Sequence, residues 1–315
     1  MRNLTIDFFL AGLSELPALR LPLFLFFLLI YLLTLVWNLL IIVLIVTDSH
    51  LHVPMYFFLG NLAGLDLCCS SVTGPRMLFD LHTQTRNITI MACITQVFCF
   101  ISFASSEIFL LAVMSYDRYT AICHPLHYTQ IMNWKLCVQL ASIVWCLGFA
   151  YSLVLTLCAQ RLSFCGSHII ESFFCDLPQL FQISCSDIYI NILLTFLLNL
   201  SFLEGTSFII TFLSYVYIFK TILKITLKDG RRKAYSTCSS HLTVLFIFYG
   251  TGFFNYFQLK TKDVLPKTKD SLAGRLISLF YAVFTPLLNP LIYSLRNRDL
   301  KGALQKILFR MRSMT

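Results

Sequence analysis

Charge is scarce in this sequence. Only 12% of its 315 residues are Asp, Glu, Lys or Arg, against about 25% in a typical soluble domain. Such a chain lacks the polar side chains needed to cover a water-facing surface. Apolar types make up 57% of it, and the mean hydropathy is +0.76. The polar minority is clustered between long apolar runs, as in a polytopic membrane protein. Other absences narrow the function. HExxH, GxSxG and a phosphate-cradling glycine loop are missing, and no pair of acids has a plausible base beside it, which argues against an enzyme. Nothing calls for a cofactor. No repeat, low-complexity tract or soluble domain interrupts the chain. The net charge of +9 comes without basic residues interleaved with stacking aromatics in a soluble domain, so nucleic acid is not an expected partner.

What is present is apolar sequence of spanning length. Seven runs lie near 22–47, 54–79, 91–118, 136–158, 188–219, 234–258 and 271–295. Each exceeds the roughly 20 residues that cross a hydrocarbon core. Pro286 and Pro290 are tolerable in the last, because neighbouring helices can satisfy the freed backbone groups. The expected fold is an all-α membrane protein, a seven-transmembrane helix bundle. It forms one domain over 1–315: an outer tail at 1–21, the bundle at 22–295 and a tail at 296–315. From Arg298 to Arg310, Leu300, Leu304, Ile307 and Leu308 share one helical face, which predicts a short amphipathic helix in the membrane interface.

Basic residues set the orientation. With the carboxyl end inside, 14 of the 24 Lys and Arg are cytoplasmic: Arg118, Lys135, six between Lys220 and Lys233, and six from Arg296 to Arg312. Four acids lie inside and eight outside, with three in spans. The reading is a multi-pass plasma-membrane protein with its amino terminus extracellular. No signal peptide is recognisable, and the first span is expected to be its own signal anchor. Asn3, in the sequon Asn3-Leu4-Thr5, is the expected glycosylation site.

Of twelve cysteines, eight lie in spans or near the inner face, where reduced thiols are expected. Cys93, Cys165, Cys175 and Cys185 fall on the outer side, and four cysteines permit three pairings. Metal is disfavoured, since the spacing is not CxxC and the compartment is oxidising. Three acids, Asp66, Glu107 and Glu204, fall within spans, where an ionisable group is costly and marks function. Asp66 and Glu107 could converge with Asn38 and Asn289. Such a cluster either binds a cation or proton and repacks between two states, or is a hydrogen-bonded structural network, and the two can hold together.

One stretch concentrates polar and aromatic residues after an almost uncharged run: "MSYDRYTAICHPLHY", with Asp117, Arg118 and Tyr119 at its centre. It closely resembles the vertebrate olfactory receptor signature at the end of the third span. Further matches follow in order: "LHVPMYFFLGNLAGLDLC", "FFCDLP", "SY" at 214–215, "KAYSTCSSHL" and "PLLNPLIYSLRN". They cover nearly the whole chain. It resembles an odorant receptor of the rhodopsin-like G-protein-coupled class, in the tetrapod-type group.

The resemblance implies the disulfide Cys93–Cys175 and a second bridge, Cys165–Cys185. It implies coupling to a heterotrimeric G protein of the stimulatory olfactory type, which raises cyclic AMP. Arg118, held by Asp117 at rest, would release on activation, with Tyr215, Tyr249, Asn289, Pro290 and Tyr293 in the switch. His124 and His127 become loop residues. By position, a small volatile odorant would meet Phe100, Ile101, Ala104, Ser105, Asn199, Leu203, Gly252, Phe253, Tyr256 and Tyr281 within the bundle. That mostly apolar lining favours a neutral ligand over an acid or amine. Lys260 is expected to face water. Two positions depart from the family pattern: Trp37 precedes Asn38 where glycine is usual, and Thr120 replaces valine. The rivals are a non-olfactory receptor of the same class and an ion channel or transporter. An odd number of spans without paired half-repeats counts against the last.

Overall fold

The structure is a computed structural model that describes residues 7–13, 17–83, 85–165, 168–224, 231, 238–239, 241–250, 276, 278–296 and 298–312. Five helices among the described residues are long and apolar enough to cross a membrane. They are α1 (Pro17–Thr47), α2 (Pro54–Thr83), α3 (Ile90–Cys123), α5 (Trp134–Ala159) and the continuous run Tyr189–Lys224. The last comprises α7 (Tyr189–Leu197), a π-helical turn at Leu198–Leu203 and α8 (Glu204–Lys224). Short helices α4 (Tyr128–Ile131) and α6 (Leu177–Ile183) sit in loops. The sixth expected span appears as α9 (His241–Gly250), and the seventh as a π turn, Phe280–Phe284, leading into α10 (Thr285–Arg296). Beyond these helices, only Cys238, Ser239, Leu276, Ser278 and Leu279 of those two spans are among the described residues. The amphipathic tail forms α11 (Arg298–Arg312).

Local chemistry fixes several boundaries. Thr89 caps α3 by accepting from the Ala92 amide at 3.3 Å, and Asn133 caps α5 by accepting from Leu136 at 3.0 Å. Helix α3 stops at Cys123 because Pro125 disfavours the helical region for His124, which sits at φ −131°. The first helix starts at Pro17, earlier than the apolar run near 22, with proline in the first turn where its missing N–H costs nothing. On α1, Leu25, Leu29, Leu32, Val36 and Leu39 are exposed at helical spacing, the lipid-facing stripe of a span.

Helix α3 is the hub, packed against α2, α5 and α8. Lipid tails are as apolar as leucine, so close backbone approach and hydrogen bonds hold these helices together. At Gly148 of α5 an added Cβ would meet the Ser106 hydroxyl and come within 2.7 Å of the Ser102 carbonyl. The hydroxyl of Ser152 also crosses this seam, donating to the Phe98 carbonyl at 2.7 Å. Trp37 is half-buried, one position before the fully buried Asn38.

The amino-terminal segment is built into one end of the bundle. Its strand β1 (Asp7–Leu10) lies between β2 (Asn87–Thr89), antiparallel, and β3 (Ile169–Ile170), parallel. Phe8 is fully buried, its ring edge-on to Phe164 at 5.0 Å. Gly12 ends the segment at φ +73°, a left-handed conformation that suits glycine, and Arg86 donates to the neighbouring Ala11 carbonyl at 2.5 Å.

Candidate functional site

The candidate functional residues occupy three levels of the bundle, named outer, middle and inner after the expected orientation. At the outer level the disulfides Cys93–Cys175 and Cys165–Cys185 have Cα separations of 5.4 and 6.0 Å. The first ties the second outer loop to the head of α3. Gln96 reinforces it: its Oε1 accepts from the Cys175 amide at 2.9 Å while its Nε2 donates to Val72 at 3.1 Å. The residues beside Cys175 are thereby pressed inward. The Phe174 ring lies 5.3 Å from Phe100 and 6.2 Å from Tyr281, and Phe100 lies 5.6 Å from Tyr281. The Tyr281 hydroxyl donates to Asp176 Oδ2 at 2.5 Å. Burial pushes the Asp176 carboxyl above the usual carboxylate range, against the pull of its donors Tyr281 and Leu177.

The expected ligand-contacting residues are distributed unevenly. Phe100 and Tyr281 meet. Ser105 does not join them through its hydroxyl, which donates to the Ile101 carbonyl at 2.6 Å on the α5 side of α3. Ala104 and Ile101 are half-buried on the same helix. Asn199 lies in the π turn with its Oδ1 receiving the Tyr151 hydroxyl, and Leu203 is buried at the end of that turn. Gly252, Phe253, Tyr256 and Lys260, like Asn3 in the tail, lie outside the described residues.

At the middle level two prolines explain two polar contacts. Pro290 has no N–H, so the Pro286 carbonyl four residues back loses its helical donor. Asn38 supplies one from α1, at 3.0 Å. Pro286 likewise frees the Ala282 carbonyl, which Thr73 of α2 approaches at 3.5 Å. Asn289 donates to Asp66 Oδ1 at 2.9 Å. Asn38 Oδ1, Asp66 Oδ2, Glu107 Oε1, Asn289 Oδ1 and the Tyr293 hydroxyl are buried with no hydrogen-bond partner among the described residues. Glu204 is half-buried where the π turn meets α8. No group of three or more His, Cys, Asp or Glu among the described residues is placed to hold a metal ion.

At the inner level Asp117 is enclosed, 1% exposed. Its Oδ2 accepts from Arg118 Nε at 3.1 Å and from Arg118 Nη2, and its Oδ1 accepts from the Tyr128 hydroxyl at 2.7 Å. Burial and then the Asp117 charge push the Tyr128 phenol well above its ordinary value, so it stays a protonated donor. Tyr215 pairs with His241 Nδ1 at 2.8 Å, and Tyr119 pairs with His124 Nε2 at 3.2 Å. The Tyr249 ring stands edge-on to Phe208 at 5.6 Å. Helix α11 closes the inner face: Tyr56 donates to Asp299 at 2.9 Å, and Lys306 reaches Asp48 at 3.1 Å. The His50 amide first, and Lys306 next, hold the half-buried Asp48 down at about 2.

Sequence reasoning missed Phe174, Asp176, Tyr151, Tyr128 and His241. The signal for the first two was an acid and two aromatics flanking a cysteine in "FFCDLP". Tyr128 ends the very stretch that drew attention to Asp117.

A disulfide-pinned outer loop, a polar middle and an acid–arginine clamp at the inner end of α3 are thus combined in one helical membrane protein. A family profile described as "Olfactory receptor" matches residues 27–311. The chain is 46% identical over 311 residues to Olfactory receptor 1C1 of Homo sapiens, covering 98% of this chain and 97% of that one. It is 46% identical to Olfactory receptor 5B12 of Homo sapiens, covering 95% and 93%, and 44% identical to Olfactory receptor 8B8 of Mus musculus, covering 96% of each. With a profile matched over most of its length and relatives aligned almost end to end, the chain belongs to the olfactory receptor family, whose members are seven-transmembrane receptors of the plasma membrane and not enzymes.

Proposed function

We propose that this receptor is a two-state switch opened by a small, neutral, volatile odorant bound within the bundle. The open state engages a stimulatory olfactory-type G protein and raises cyclic AMP. The amino terminus lies outside, with Asn3 glycosylated, and the carboxyl tail is cytoplasmic. The observation that carries the reading is the arrangement on α3. Phe100 near its outer end belongs to the aromatic cluster, and Arg118 near its inner end belongs to the clamp. Eighteen residues separate them, about 27 Å of helix. A ligand that fits the outer cluster better in one state biases the inner clamp by that difference in affinity.

The Asp66 cluster is the second element of the switch. Its unpartnered oxygens favour a seat for a small hard cation, or a shared proton, over a closed structural network. The test of the ligand class is a cyclic AMP screen over matched neutral, acidic and amine odorants. The reading expects neutral members to give the strongest responses. A best response to the acid, lost in Lys260→Ala, contradicts it.

A further inference from the structure

Asp176 is fixed more firmly than a loop residue usually is. Its neighbour Cys175 is bonded to Cys93, and the Cys175 amide is held by Gln96. One carboxylate oxygen accepts from the Leu177 amide at 2.8 Å and the other from the Tyr281 hydroxyl at 2.5 Å. Phe174, on the other side of Cys175, is fully buried against Phe100 and Tyr281. The loop therefore brings both an apolar wall and a carboxylate to the cluster that Phe100 and Tyr281 form.

The polarity of that point is one-sided. A donor on each oxygen, the Leu177 amide and the Tyr281 hydroxyl, favours the carboxylate against the upward push of burial, and a carboxylate only accepts hydrogen bonds, through about four lone-pair directions on its two oxygens. Two are used by protein donors. The Tyr281 hydroxyl spends its proton on Asp176 and has the Ser278 hydroxyl at 3.5 Å beside its oxygen, so with what capacity remains it too faces a ligand as an acceptor. A ligand hydroxyl satisfies either oxygen. The carbonyl of an aldehyde, ketone or ester meets only acceptors there, finds no donor and is left unpaired against their lone pairs.

We propose that Asp176, with Tyr281 as its partner, makes the odorant pocket selective for hydrogen-bond donors: alcohols and phenols over carbonyl compounds of the same size and shape. This rests on the reading above that the pocket holds a neutral volatile, and it names the class within it.

The test compares alcohols with ketones of matched chain length, as cyclic AMP dose-responses of surface-verified receptors. The ratio of ketone to alcohol EC50 within one receptor cancels differences in expression. Wild type should give a ratio of about ten or more, the worth of one hydrogen bond to a charged acceptor. Asp176→Asn should bring the ratio towards one, because the amide can donate to a carbonyl. Tyr281→Phe keeps the carboxylate and removes its competitor, so alcohol potency should rise relative to ketone. This second variant decides the matter if Asp176→Asn fails to reach the surface. A wild-type ratio of one or less, stronger responses to matched amines, or a Tyr281→Phe ratio equal to wild type each overturns the proposal alone. A wild type silent to every pair, with its G protein intact, overturns the gating reading along with it.

Discussion

Asp117 and Asp66 are equally buried, each 1% exposed, at two levels of the same bundle. Their surroundings differ. Both oxygens of Asp117 are occupied, one by Tyr128 and one by Arg118. Asp66 has one oxygen on Asn289 and the other on nothing among the described residues. Glu107, another buried acid, also has an oxygen with no hydrogen-bond partner among the described residues. A buried acid with a full set of partners is a lock, since opening it strands a charge. A buried acid with lone pairs to spare invites a cation or a proton. On the proposed reading the lock sits at the cytoplasmic end, where the G protein would take over the arginine, and the open acid sits between lock and ligand.

If that contrast is right, neutralising the two acids should have opposite consequences. Asp117→Asn leaves Arg118 without its counter-charge, and breaking a buried pair from one side costs about 3–5 kcal/mol. The resting state should weaken, and odorant-free cyclic AMP should rise several-fold. Asp66→Asn keeps a partner for Asn289 and should not raise the basal level, but should blunt the odorant response. Equal basal signalling from the two variants would erase the distinction.

The middle level can be probed without touching an acid. Asn38→Ala leaves the Pro286 carbonyl buried and unpaired, at a cost of about 1–3 kcal/mol. Thermal inactivation of the ligand-free receptor should move to lower temperature while basal signalling stays low. An unchanged inactivation profile would mean that the carbonyl finds another donor.

The smallest expected change tests the lock's second bolt. Tyr128→Phe removes one hydrogen bond from Asp117, worth about 0.5–1.5 kcal/mol near a surface that water can reach. Basal cyclic AMP should rise by about twofold, short of Asp117→Asn. A basal level at or below wild type would leave Tyr128 as loop packing only.

The sequence made much of this legible, unevenly. Spans could be read because lipid contact imposes a long apolar run, and Asp117, Arg118, Asn289 and Pro290 could be read because they sit in dense, resemblance-bearing motifs. Asn38 was placed in a buried polar cluster, but its actual duty depends on a proline in another helix, and only the packing of α1 on α10 reveals it. Strands of two to four residues carry no usable period, so the inclusion of residues 7–10 in a sheet between two loops was invisible. The inward turn of Phe174 and Asp176 follows from a disulfide spanning 82 residues, which local sequence does not encode. The Ser105 hydroxyl donates to the Ile101 carbonyl of its own helix, a local bond that buried hydroxyls make readily and that position in a pocket motif does not reveal.

The central claim is that Arg118, released from Asp117, transmits odorant binding to the G protein. Its most direct test is Arg118→Ala, with surface level, odorant binding and cyclic AMP measured on the same cells. The residue lies about 27 Å along α3 from Phe100, so binding should persist near the wild-type affinity while the odorant-driven rise in cyclic AMP disappears. A surface-expressed Arg118→Ala receptor that still raises cyclic AMP normally would contradict the account.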